Sequence, residues 1–303
     1  MSTQAEQSLR TGYVALVGRP NVGKSTLLNR LLGMKISIVS RKPQTTRHRI
    51  LGITTSEQAQ IVWVDTPGLH RKQHRALNRS MNRTAVAALR DVDLVLFVVE
   101  ALQWTDDDAL VLEKVQQCGL PCILVVNKED LVTPREKLLP YLQSMAQRHA
   151  FEEIIPLSAR QGGQVQALEK LVAERLPETE MFLFPEEQVT DRSERFLVAE
   201  LIREQVMRAL GQEVPYSTAI EIEQFKQEGK LTRIHAAILV ERPGQKAIMI
   251  GKGGNQLKRI GTAARKEIEQ LLDGKVFLEL WVKVREGWAD DERAMQSLGY
   301  EES

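Results

Sequence analysis

Only two of the 303 residues are cysteine, Cys118 and Cys122. Two thiols four positions apart make no disulfide framework, and the expected setting is a reducing cytoplasm. No further cysteine and no nearby histidine completes a ligand set, so both read as core or helix-end residues rather than a metal centre. Charge of one sign is also missing: the net charge is +1, which excludes a polycation, so any nucleic-acid site must be local. No apolar run approaches the roughly 20 residues that span a bilayer. The longest, such as LVLFVV (94–99), reads as a buried strand. The stretch MSTQAEQSLRTG has no apolar segment of a signal peptide, and residues 1–11 read as a disordered lead-in. Residues 196–303 hold no cysteine nucleophile setting, no His/Cys cluster and no paired carboxylates, which argues against a second catalytic centre there.

What is present begins with an alternation. The apolar runs 13–17, 50–55, 61–64, 94–99, 122–126 and 154–157 are separated mostly by helical patterns. Most of these runs lack polar alternation, as expected of parallel strands buried on both faces. KSTLLNRLLG ends in a glycine suited to a helix terminus, and DDDALVLEKVQQCG begins with carboxylates and ends with glycine. Residues 12–176 therefore predict an α/β domain with a doubly wound, mostly parallel sheet. Residues 177–195 carry prolines and acids without a period and read as a linker. From 196 to 284 the order becomes an amphipathic helix (195–210), strands at 217–225 and 233–241, a glycine turn with a helix, and a strand at 276–284. That is a small α+β unit, with 285–303 left as a C-terminal helix or tail.

GRPNVGKS, from Gly18 to Ser25, matches G-x-x-x-x-G-K-[ST] between a strand and a helix. Its backbone N–H groups suit wrapping phosphates, Lys24 the β/γ oxygens, and Ser25 a Mg²⁺ ion. The base is read elsewhere. DTPG (Asp65–Gly68) follows a strand: Asp65 reaches Mg²⁺ through a water and the Gly68 N–H the γ-phosphate. In NKED (Asn127–Asp130), Asp130 accepts two hydrogen bonds from guanine N1–H and its 2-amino group, a donor pair that adenine lacks. Ser158–Ala159 offers backbone contact to guanine O6. All four motifs lie at C-terminal strand ends, where open α/β sheets bind ligands. The expected GTP/GDP set is Gly18, Arg19, Pro20, Asn21, Val22, Gly23, Lys24, Ser25, Thr26, Asp65, Thr66, Pro67, Gly68, Asn127, Lys128, Asp130, Ser158 and Ala159.

On these motifs, residues 13–176 resemble a translation-factor-related GTPase of the Era/TrmE type, whose P-loop reads GxPNVGKS. The resemblance implies a switch threonine in QTTRH (44–48), with Thr46 as the Mg²⁺ ligand and Thr45 its rival. The expected catalytic residues are then Lys24, Thr46, Asp65 and Gly68. It also implies that Asn21 helps to coordinate K⁺, where the residue alone reads equally as a turn former. Leu69 stands where Ras-like GTPases carry a water-orienting glutamine, so slow turnover stimulated by a partner is expected. The acid-free basic segments Lys35–Arg49 and Leu69–Arg90 read either as solvated faces or as a contact for RNA or the second domain. His70 and His74 belong to the same surface.

IGKGG (Ile250–Gly254) contains G-x-x-G, a weak signal by itself. Its context strengthens it: a helix follows, and from Arg242 to Lys266 there are seven Lys/Arg residues and no acid. Such a turn suits clamping a sugar-phosphate backbone, with Ile250, Gly251, Lys252, Gly253, Gly254, Lys258 and Arg259 as contacts. Trp281 and Trp288 read either as stacking or as core residues. The element order resembles a type II KH domain. A GTPase domain followed by a KH domain resembles the Era family of ribosome-assembly GTPases along nearly the whole chain. That resemblance implies a small-subunit partner and single-stranded ribosomal RNA near its 3′ end, at most peripheral contact with the inner membrane, no DNA, and a monomer.

Overall fold

The first unit of the chain is built on strands that the sequence makes apolar on both faces. In the computed structural model, residues 9–40, 42, 45–69, 76–210, 218–291 and 293 are described. The expectations for Arg41, His70, Arg71, Lys72, His74 and Arg75, and for the tail from 294 onward, lie outside the described residues. The elements of the first unit are β1 (Leu9–Val17), α1 (Lys24–Leu32), β2 (Ile50–Thr55), β3 (Ala59–Asp65), α2 (Ala76–Ala87, of which Met81 onward belongs to this unit), β4 (Leu94–Glu100), α3 (Asp106–Cys118), β5 (Cys122–Asn127), α4 (Leu138–Ala146), β6 (Glu153–Leu157), α5 (Val165–Ala173) and β7 (Glu178–Thr179). The sheet order is β2-β3-β1-β4-β5-β6, with β7 also paired to β1. β1, β3, β4, β5 and β6 run parallel to one another, while β2 is antiparallel to β3 and β7 to β1. All of β3 and β5 is buried. Each such Val, Leu or Ile side chain contributes about 1.5–3 kcal/mol by leaving water. This is the α/β doubly wound fold expected, and its C-terminal strand ends carry all four motifs.

Helix ends follow local chemistry. Thr105 caps α3 through a capping box with Asp108, three aspartates occupy the first turn, and Gly119 ends it at φ 66°. The cap stabilises the helix by about 1 kcal/mol. Gly33 ends α1 in the left-handed region in the same way. Cys122 is a β5 core residue whose thiol burial pushes up to about 12, and Cys118 ends α3.

Two segments differ from the sequence reading. Residues 9–11, expected in the lead-in, are the first residues of β1: Arg10 and Thr11 pair with β3, and Leu9 with β7. Residues 177–191, expected as linker, run along the first unit. β7 pairs antiparallel with β1, Gln60 Nε2 donates to Phe184 O at 2.8 Å, and Leu51 N donates to Asp191 Oδ1 at 3.1 Å. Backbone pairing, which leaves no hydropathy period in so short a strand, is the reason.

The chain divides into two units, and the second comprises Ile38–Thr45, Gln73–Ser80 and Arg192–Ser303. Its elements are α6 (Glu194–Ala209), β8 (Ala219–Glu228), β9 (Leu231–Val240), α7 (Pro243–Ile250), α8 (Asn255–Leu271) and β10 (Lys275–Val284). The sheet order is β10-β9-β8, with β9 and β10 parallel and β8 antiparallel to β9. The α-β-β-α-α-β order is that of a type II KH domain. Helix α7 was not expected. Its eight residues, PGQKAIMI, are short and bury only Met249 fully, so they carry little periodicity. On α8 the buried stripe Ile260, Ala264 and Ile268 faces the sheet.

Helix α6 is not simply amphipathic, since Glu200, Arg203, Glu204 and Gln205 are buried with its apolar residues. Within this unit the charges are answered partly along the helix, where Arg203 pairs with Glu200 at 2.6 Å and Arg208 with Glu204 at 2.9 Å, and partly by residues 38–45. Val39 N donates to Glu204 Oε1 at 2.8 Å, and Arg203 Nη2 donates to Thr45 O at 2.5 Å. Trp288 is fully buried, the core reading of its two, while Trp281 is half-buried on β10 beside His235.

Candidate functional site

The P-loop forms because its glycines take shapes that other residues avoid. Gly23 sits at φ 107°, and a Cβ there would lie 2.2 Å from Asn127 Nδ2. Asn127 fills the gap, donating to Val22 O at 2.7 Å and accepting from Ala159 N at 3.0 Å. One side chain thus ties three of the four motifs together. Lys24 is buried at the start of α1 and donates to Gly18 O at 2.9 Å and Arg19 O at 3.1 Å. Burial lowers its pKa to about 8, opposed by the nearby Asp65 carboxylate.

Around Ser25 the hydroxyls converge. Ser25 Oγ lies 2.8 Å from Thr46 Oγ1 and donates to Asp65 Oδ2 at 3.0 Å. Thr45, the rival, donates its hydroxyl to Lys42 O at 2.6 Å. Asp65 is fully buried, and burial raises its pKa against the pull of Lys24 and of hydroxyl donors. Its second oxygen, Oδ1, is buried with no hydrogen-bond partner among the described residues. Two hydroxyls and a carboxylate oxygen left over are a fitting donor set for a hydrated, hard divalent cation. Gly68 lies against the P-loop: a Cβ there would be 2.7 Å from Pro20 N.

Several expected residues serve the site indirectly. The Arg19 side chain donates to Asp108 Oδ2 at 3.0 Å rather than reaching over the loop. Thr66 Oγ1 is fully buried and donates to Leu16 O at 2.8 Å. Of Ser158–Ala159, expected to offer backbone contact to guanine O6, the Ala159 N–H donates to Asn127 Oδ1. Val22 is buried, and Ser158 Oγ accepts from Gln161 N at 3.1 Å. Pro20 and Thr26 are half-buried and Pro67 is buried, while Asp130 is half-buried in a 3₁₀ turn (Glu129–Leu131) after Lys128. Asn21 is exposed at the loop tip at φ 67°. Leu69 is 3% exposed and packs into the core.

Sequence reading missed Ser37 and Asn29. Ser37 Oγ donates to Asp65 Oδ2 at 2.8 Å, and Asn29 Oδ1 accepts from Ile36 N and Ser37 N, both at 3.0 Å. Neither lies in a motif, so only the fold reveals them.

In the second unit Ile250 ends α7, and Gly251, Gly253 and Gly254 have φ of 72°, 60° and 78°. A groove of about 360 Å³ beside the turn is lined by Ala209, Leu210, Ile248, Gly251, Lys252 and Gln256. Lys258 and Arg259 are exposed on the first turns of α8.

Comparison with known proteins agrees with this geometry. Residues 13–128 match the family described as 50S ribosome-binding GTPase, and residues 213–289 match the KH domain family. The chain is 60% identical to GTPase Era of Pseudomonas aeruginosa (strain PAO1) over 291 residues, covering 96% of this chain and 95% of the relative. The chain belongs to the Era family of GTPases. A second Era relative, from Azotobacter vinelandii, is 58% identical over 298 residues, covering 98% of this chain and 99% of the relative. Among solved structures, Era in complex with MgGDPNP and nucleotides 1506–1542 of 16S ribosomal RNA superposes with a TM-score of 0.92 at 40% identity, covering 96% and 99% of the two chains. An Aquifex aeolicus Era variant bound to GDP and AlF₄⁻ matches equally well. Like its family, the chain is a GTPase. No described helix is long and apolar enough to cross a membrane.

Proposed function

We propose that this GTPase is a GTP-controlled switch that binds single-stranded ribosomal RNA near the 3′ end of the small-subunit RNA and acts in small-subunit assembly. The observation that carries it is the pairing of two sites on one chain: a P-loop backed by Ser25, Thr46 and Asp65, and a glycine turn with exposed cations on a KH fold. The Era relative bound to 16S RNA supports the same target here.

In the first site Lys24 meets the β/γ oxygens and the Gly68 N–H the γ-phosphate, while Asp130 selects guanine. Ser25, Thr46 and Asp65 would hold Mg²⁺, Asp65 through a water. When bound, the ion would supply positive charge against the phosphate oxygens. Lys24 supplies fixed positive charge from a buried position, where it acts more strongly than in water. Asn21 would contribute to a K⁺ site at the exposed loop tip. Leu69, packed in the core, has no group with which to orient water, so turnover is slow until a partner acts. The domains follow this division of labour, with GTP hydrolysis carried by the first unit and RNA binding by the second. The protein works as a cytoplasmic monomer whose membrane contact is peripheral, and it does not use DNA.

The test compares RNA affinity of the wild type and a Gly253→Asp, Gly254→Asp double variant, using a single-stranded oligomer of the 3′-end sequence. No atom lies within 4 Å of a Cβ at either position, and aspartate tolerates the left-handed region better than most residues, though each substitution still carries backbone strain; the melting temperature and basal GTP hydrolysis check that the fold is kept. The expected result is RNA affinity at least about tenfold lower, from two carboxylates set against phosphates, with basal GTP hydrolysis unchanged. Equal affinity would remove the RNA reading and leave a docking scaffold.

A further inference from the structure

Glu100 ends β4, outside every nucleotide motif, and its side chain is 14% exposed. Its Oε2 accepts from Lys128 Nζ at 2.7 Å and from Arg19 Nη2 at 3.4 Å. Arg19 is the second residue of the P-loop, and Lys128 the second of the NKED motif. A single carboxylate oxygen therefore joins the phosphate-binding loop to the base-binding loop. The join is fixed from behind. Glu100 pairs with Asn127 in the β4–β5 register, Ala101 N donates to Asn127 O at 2.9 Å, and Tyr141 Oη donates to Glu100 O at 3.3 Å. On the far side Arg19 Nε donates to Asp108 Oδ2, a carboxylate fully buried as the third residue of α3 and held by Thr105. Two cations and two carboxylates close a neutral, largely buried set.

Lys128 needs such support. It sits at φ 66°, ψ 33°, a left-handed conformation that non-glycine residues adopt only where their surroundings hold them there. The 3₁₀ turn carrying Asp130 starts at Lys128, whose carbonyl accepts from Leu131 N at 3.0 Å. The aim of the Asp130 carboxylate therefore depends on the backbone of Lys128, and that backbone is tethered through the Lys128 ammonium to Glu100.

We propose that Glu100 is a positioning residue for guanine selectivity: it holds Lys128, and through it Asp130, in register with the P-loop. This rests on the reading of Asp130 as the guanine acceptor. Glu100 lies outside the nucleotide motifs and acts through Lys128 and Arg19, which lie within them.

The experiment measures GDP and IDP affinities by competition with a fluorescent nucleotide, for the wild type, Glu100→Ala and Glu100→Gln. IDP lacks the 2-amino group that donates to Asp130, so the GDP-over-IDP ratio reads the aim of that carboxylate. The ratio is expected to fall about tenfold in Glu100→Ala, the size of one charge-assisted hydrogen bond, and less in Glu100→Gln. A merely structural role lowers the melting temperature and weakens both nucleotides alike, and an unchanged ratio overturns the proposal. Where Glu100→Ala does not fold, the near-isosteric Glu100→Gln decides by the same ratio. A wild type without preference for GDP overturns the guanine reading and this proposal with it; a wild-type preference that both variants keep overturns this proposal alone.

Discussion

The P-loop and the turn Gly251–Gly254 both lead into helices, and they are built in opposite ways. The P-loop is packed from behind: Lys24, Asp65 and Asn127 are buried, and one asparagine clamps it to two other loops. The turn Gly251–Gly254 stands open, with Lys252 and Gly253 exposed and no neighbour within 4 Å of a Cβ at Gly253 or Gly254. The first arrangement suits a small, highly charged ligand of fixed shape, because buried groups hold their geometry and act in a low dielectric. The second suits one segment of a long polyanion, where backbone N–H groups and mobile cations meet phosphates that still face water. The difference teaches that a glycine turn at a helix start does not define its ligand; the side chains behind it do.

The sharpest way to break this comparison lies at Asp130. Asparagine there offers one donor and one acceptor, which mismatches guanine and matches xanthine. Asp130→Asn is expected to lower GTP affinity by about a hundredfold or more, since two hydrogen bonds to a charged acceptor are lost. XTP affinity rises in the same variant, and RNA affinity stays as it was. Competition binding with both nucleotides measures this. If GTP affinity were retained, the buried-site half of the comparison would lose its base contact.

Much of this was legible in the residues. The strands 94–99 and 122–126 are apolar on both faces because helices cover both, and such runs need no structure to be read. The motifs at their ends are local and carry their own chemistry. What was not legible is what distance in sequence hides. Glu100 and Asp108 hold Arg19 from 81 and 89 residues away, and nothing in either local pattern marks them. Glu204 and Arg203 look like the solvent face of an amphipathic helix until residues 38–45 are seen to answer them. The short β7 and α7 escaped for a simpler reason: two and eight residues are too few to show a period.

A smaller effect tests the burial of Lys24. Its pKa is lowered to about 8, chiefly by burial. Between that value and the ordinary 10.5, the unfolded chain binds a proton that the folded protein does not. Its contribution to stability therefore rises with pH across that window and is at its least below pH 8. Phosphate binding requires the charged form, so GDP affinity should fall above pH 8, by up to about tenfold per unit for one proton. Lys24→Met removes both trends. The checks are urea unfolding of the nucleotide-free protein and GDP titration, each from pH 7.5 to 9.5. A flat wild-type profile in both would mean that Lys24 is solvated rather than buried.

The smallest effect belongs to the open turn. Lys252 is exposed and caps no buried group, so Lys252→Ala removes one phosphate contact and little else. The expected loss is about two- to fivefold in RNA affinity, nearly the same for every sequence, because a phosphate contact reads no base. The slope of log affinity against log salt should fall by about 0.7, the increment for one cation on a single strand. GTP hydrolysis without RNA stays unchanged. A loss confined to one RNA sequence would assign Lys252 to a base edge instead. A loss beyond about tenfold with an unchanged salt slope would mean that this turn, like the P-loop, depends on a fixed side-chain frame, and the contrast between the two would fail at the point where it is drawn.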